Sequence, residues 1–138
     1  MFARLASLAL GALAAVGCDE PTLTCVEVDL TCAPLYAPTW DNLVTTTLLP
    51  SCAAAGCHTR AAAAGGLILD DPATAYARLQ PYVTPGDVAC SELTMRVFAG
   101  PSSLLMPRGA RLSEAEACAV AQWVAAGAPG PVTAAGAP

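Results

Sequence analysis

The residues best equipped for chemistry are Cys52, Cys57 and His58, within SCAAAGCHTR at residues 51–60; His58 is the only histidine of the chain. Two cysteines with a histidine directly behind the second can attach a haem, ligate a metal, or form a disulfide beside a polar neighbour. A C-x-x-C-H string is the attachment signature for c-type haem. The thiols add to vinyl groups at neighbouring edges of the ring, and the imidazole ligates the iron from one side. In this chain Ala53, Ala54, Ala55 and Gly56 separate the cysteines, a wider spacing than the common form. These residues are small enough for extra backbone to bulge away from a ring, and Gly56 tolerates dihedral angles closed to other residues. A zinc site asks for four ligands, and the consecutive Cys57 and His58 approach one tetrahedral ion awkwardly. It would also need reduced thiols in an oxidising compartment. A Cys52–Cys57 disulfide accounts for both cysteines but leaves the position of the sole histidine as coincidence. On these residues alone, haem attachment and the disulfide both stay open.

The compartment is read from the first residues. Arg4 gives a short positive region, and Leu5 to Val16 form an apolar run too short to span a bilayer, the form of a secretory signal peptide over residues 1–17. The stretch AAVGC resembles the lipobox of bacterial lipoproteins, although Ala15 stands where that family usually has leucine. The resemblance implies that Cys18 becomes a lipidated N-terminus; a plain signal peptide cleaved nearby is the other reading. Both put the expected mature chain in a bacterial cell envelope, periplasmic or on the outer surface, held to a membrane when Cys18 carries lipid. No later segment is long and apolar enough to cross a membrane.

The 55% hydrophobic content overstates the core, because alanine is the commonest residue and aromatic residues make up only 5%. Alanine buries little area, so a core built from it is weak per residue. Small domains of this kind rely on disulfides, a metal or a cofactor as a staple. The charge is mildly acidic at −5. The arginines at 60, 78, 96, 108 and 111 are spread out and read mostly as solvated surface, so no nucleic-acid partner is expected. With no second histidine, no carboxylate pair and no nucleophile–base arrangement, an enzyme is not expected either.

Residues 18–38 read as a lipid-anchored tether, with prolines at 21, 34 and 38 and one strand-like alternation, Val26 and Val28. Cys25 and Cys32 bracket that alternation and could close a small loop. Residues 129–138 have no apolar periodicity and many breakers, which predicts a disordered tail. The folded domain is expected over 39–128. Its first helix starts at an N-cap Thr39 and ends before Pro50. An extended piece at Leu67 to Leu69 follows the motif, then a helix with Asp71 as N-cap and Pro72 at its first position. A short helix is expected over SELTMRVF. The last helix has a capping box, Ser113 and Glu116, and a terminating Gly127. Trp123 on it reads as a core residue. Between the last two helices lies a long irregular loop, AGPSSLLMPRGARL, of a length that is usually functional or disordered.

The seven cysteines divide without remainder into one lipid anchor (Cys18), two haem thioethers (Cys52, Cys57) and two disulfides. The pairings Cys25–Cys32 and Cys90–Cys118 are guesses, since connectivity is not readable from sequence.

The landmarks LLPSCAAAGCH, GGLILD, TPGD, SEL, LLMPRG and LSEAEACAVAQWVAAGAP, in that order over about residues 43–128, resemble small mono-haem cytochrome c domains of planctomycete and myxobacterial envelope proteins. The resemblance implies a mostly α, cytochrome c-like helical domain with long irregular loops around one covalently bound haem c. Cys52 and Cys57 would be its thioether residues and His58 its proximal iron ligand, with Nδ1 donating to a carbonyl that sets the ring. Met106 would be the distal ligand; its alternative is a gap-filling core methionine. The implied function is one-electron transfer to or from a redox partner protein in or near the membrane. The main alternative is a haem-free, disulfide-rich surface or interaction lipoprotein. A third reading is a gas-binding haem domain in which Met106 is not bound.

Overall fold

The computed structural model describes residues 21–132. The expected signal peptide, the Cys18 lipidation site and residues 133–138 of the expected tail lie outside the described residues. Among the described residues all regular structure is helical, without strands. Four α-helices set the frame: α1 at Trp40–Leu43, α2 at Pro72–Leu79, α3 at Glu92–Phe98 and α4 at Glu114–Ala125.

Thr39 caps α1 as expected, its hydroxyl accepting from the Asn42 amide. The expected stop before Pro50 is not observed. The chain continues as a π-helix over Val44–Cys52 with Pro50 inside it. Pro50 has no N–H to give and its ring crowds the preceding turn, which penalises α winding. The Thr45 hydroxyl also bonds back to the Asp41 carbonyl at 2.7 Å, a contact that bends helices. The wider winding accommodates both, and it closes with the Ala53 amide on the Leu48 carbonyl at 2.8 Å. This helix therefore delivers Cys52 directly to the site.

The later helices follow local chemistry. Asp71 accepts from the Ala73 amide, and Pro72 takes the first position of α2. Both halves of the Ser113–Glu116 capping box are present at α4. At its other end Gly127, at φ +89°, allows a Schellman closure. The Gly127 amide bonds Val124 and the Ala128 amide bonds Trp123, both at 3.0 Å. The expected helix over SELTMRVF appears as α3, although the buried Ser91 hydroxyl accepts from the Thr84 amide rather than capping it.

Trp123 is fully buried, and the Trp40 ring lies 5.8 Å from it and packs edge-on against Tyr76 at 5.0 Å. Such tilted and T-shaped aromatic pairs add about 0.5–1.5 kcal/mol beyond area burial. Polar atoms of this cluster fasten the segment after α4. The Tyr76 hydroxyl donates to the Ala128 carbonyl, and the Trp123 indole N–H donates to the Pro129 carbonyl.

The cysteine pairings differ from the expectation. Cys25 is bonded to Cys90 and Cys32 to Cys118, across sequence separations of 65 and 86. Cys25 and Cys32 do not close a local loop, because the segment between them runs along the domain and its ends reach different elements. One end meets the turn before α3, where the Val26 amide bonds the Ala89 carbonyl at 2.9 Å. The other meets α4, where the Gln122 amide donates to the carbonyls of Leu30 and Cys32. The segment is a strap fixed at both ends.

Closing a loop this long removes much of the freedom of the unfolded chain. The Cys32→Ser, Cys118→Ser double variant is expected to lose about 2–4 kcal/mol of stability, read as a lower urea midpoint. An unchanged midpoint, or non-reducing peptide maps joining Cys25 to Cys32, would contradict the strap.

Candidate functional site

The two cysteines of the motif are held by main-chain bonds that absorb the wide spacing. The Cys57 amide turns back to the Ala54 carbonyl at 3.0 Å, and the His58 amide spans the whole bulge to the Cys52 carbonyl at 3.1 Å. Gly56 sits at the exposed tip at φ +82° with open space where a Cβ would stand. Glycine there answers a backbone need and not a packing one, since left-handed geometry strains other residues by roughly 1–2 kcal/mol. The extra residues thus leave the line from Cys52 to His58 short.

His58 is gripped from three directions. Its carbonyl accepts from the Leu69 amide at 2.7 Å, which explains the extended Leu67-to-Leu69 piece: it pairs with the motif and belongs to no sheet. The neighbouring Cys57 carbonyl accepts from the Ala64 amide at 3.2 Å. The imidazole Nδ1 lies 2.9 Å from the Ala64 carbonyl. A carbonyl only accepts, so Nδ1 carries the proton and Nε2 keeps its lone pair for a ligand. This is the arrangement that orients a metal-bound histidine.

Cys52, Cys57, His58 and Met106 all line one cavity of about 500 Å³. That size lies within the range of small-molecule and cofactor sites. The wall is mainly apolar, with Leu67 and Leu69 from the extended piece and Leu93 and Val97 from α3. Met106 comes from the loop before α4, where its amide donates to the Arg96 carbonyl at 2.9 Å. Buried Leu105 anchors the same loop. Met95, the other methionine of the described residues, lies on α3 and does not line the cavity.

Cys52 and Cys57 are free thiols, while the remaining cysteines of the described residues are paired. Burial pushes the Cys52 thiol up to about 12, with smaller contributions from Cys57 and Glu116. The Tyr36 hydroxyl bonds Thr47 of the π-helix, and its ionisation is raised mainly by burial. Among the described residues no three His, Cys, Asp or Glu side chains converge as a metal site.

The lining of the cavity therefore suits a largely apolar ligand. Two free thiols, a tautomer-fixed imidazole and a thioether from a separate loop all line it. These are side-chain types able to hold a covalent haem. Arg96 and Arg108, which carry no clustering signal in the sequence, also line this cavity. Tyr82 was also missed, since it follows α2 in a 3₁₀ turn without a motif of its own.

Because its thiol stays protonated far above neutral pH, Cys52 in the haem-free chain is expected to resist alkylation. At pH 8 iodoacetamide labelling of Cys52 should be at least about tenfold slower than in the urea-unfolded chain, and should rise as pH climbs above 9. Equal rates in folded and unfolded chains would contradict the burial of this sulfur.

Residues 55–108 match a family model described as Planctomycete cytochrome C, a stretch that holds Cys57, His58 and Met106 but begins after Cys52. No curated protein and no solved structure matches the chain. The match supports a cytochrome c-type domain.

Proposed function

We propose that this chain is a one-electron carrier, a mono-haem c-type cytochrome lipoprotein of the bacterial envelope. The observation that carries the reading is the convergence of Cys52, Cys57, His58 and Met106 on one apolar cavity, with His58 Nδ1 held by the Ala64 carbonyl. When bound, haem c supplies an iron that cycles between ferric and ferrous states. The protein's part is to hold and tune it. Cys52 and Cys57 would hold the haem through thioethers, and His58 would offer Nε2 to its iron. Met106 would offer a neutral, soft sulfur, which would favour the reduced state and raise the potential. The apolar lining, Leu67, Leu69, Leu93 and Val97 among it, would limit water access to the bound group. Loops tied by disulfides and main-chain bonds keep the ligands in place as the charge changes.

Lipidation at Cys18 would hold the carrier at a membrane, close to a larger redox partner protein. No catalytic turnover is proposed, for the reasons drawn from the sequence. The competing reading is a haem-free, disulfide-rich surface lipoprotein. It draws support from the long-range bonds Cys25–Cys90 and Cys32–Cys118, which suit either protein.

Haem staining of a denaturing gel separates the two. Protein exported from a host with c-type maturation machinery able to accept the wide cysteine spacing is expected to stain. Absence of stain from that host would leave the surface-protein reading in place. In the stained protein, Met106→Ala is expected to keep the haem, lower the midpoint potential and open the sixth position to carbon monoxide. An unchanged spectrum would remove Met106 from the ligand set.

A further inference from the structure

The haem reading accounts for the apolar wall and four ligand residues but not for the charges in the cavity. Glu92, Arg96 and Arg108 are the charged residues that line it. Two of them cancel. The Arg96 guanidinium donates through Nε and Nη2 to a single Glu92 oxygen at 3.2 and 3.1 Å, one helical turn away on α3. Arg108 is different. It has no ion pair among the described residues, and its Nη2 donates only to the Ser103 carbonyl at 3.1 Å. It is exposed at the rim, on the loop that also carries Met106.

A cavity with an apolar interior, an internally balanced ion pair and one unbalanced cation at its mouth selects a particular kind of ligand. It suits a hydrophobic body with an anionic group at the solvent-facing edge. Guanidinium is the side chain best matched to a carboxylate, by planarity and by paired donors. We infer that Arg108 is a positioning and specificity residue that pairs with a ring carboxylate of the macrocycle and so sets which edge faces out. This rests on the haem reading and deepens it. The Met106 loop would then serve both ends of the ligand, with its thioether toward the ring face and its guanidinium toward the carboxylate edge.

The test separates carboxylate recognition from a general effect of charge. The full chain carrying Cys52→Ala and Cys57→Ala, which prevents covalent capture, is titrated with haemin and with haemin dimethyl ester, followed by the Soret band. Adding Arg108→Gln is expected to weaken haemin binding by about two- to fivefold, the scale of an exposed ion pair. The diester affinity should stay the same. Arg78→Gln removes the same charge from exposed α2, away from the cavity lining, and should change neither. Equal losses for both porphyrins, or none for haemin, overturn the role of Arg108 while leaving a positive haem stain intact. Failure of either porphyrin to bind, with no covalent haem in the stained gel, overturns both readings together.

Discussion

The hydrogen bond between His58 Nδ1 and the Ala64 carbonyl is the interaction on which the site's geometry turns. It decides the tautomer of the only histidine and the plane of its ring. Its acceptor exists only because the chain reverses sharply after Ala63, which adopts a left-handed backbone at φ +44° before the short Ala64–Gly66 turn. That reversal is closed from both ends, by the Ala64 amide on Cys57 and by the Leu69 amide on His58. A motif of two cysteines and a histidine would otherwise be a mobile surface loop. Here a backbone frame costing no additional side chain fixes it.

An alanine-rich sequence makes such framing necessary. The buried face of α4 is largely alanine and valine, which lets helices approach closely but contributes little transfer energy per residue. The large side chains are concentrated in the Trp40, Tyr76 and Trp123 cluster, and the N-terminal strap adds two covalent ties on other sides of the domain. One of those ties ends at Cys90, directly before α3, whose Leu93, Arg96 and Val97 form a cavity wall. The strap thus bears on the site and not only on global stability. It holds in place the helix whose Arg96 carbonyl seats Met106.

What was legible in the sequence was what local chemistry determines. Asp71 before Pro72, and Ser113 three residues before Glu116, each place a side-chain acceptor where an orphan amide must lie, so α2 and α4 could be drawn without tertiary knowledge. Pro50 misled because its local rule, that helices end there, has a second solution in wider winding. The disulfides were illegible for a different reason. Six residues separate Cys25 from Cys32, and only the path of the strap over α4 and the turn before α3 decides that they are not partners. The Ala64 acceptor was foreseen as a need but not as a residue, since every residue carries a carbonyl and none advertises it. Met106 was placed by the order of landmarks, and no spacing rule would have joined it to His58.

The choice between haem attachment and a simple disulfide for Cys52 and Cys57 was balanced on the motif alone. It is less balanced once the surroundings are counted. A structural disulfide needs only that two sulfurs meet. It places no demand on an adjacent imidazole tautomer, on a methionine from a loop roughly fifty positions away, or on an apolar wall between them. Each of these features costs something: a left-handed alanine, a long irregular loop, and leucines such as Leu67 and Leu93 that are only partly buried at the edge of the main core. A ligand that is flat, apolar, metal-bearing and attached at one edge makes use of all of them together. That common use, more than any single distance, is the physical support for a haem in this cavity.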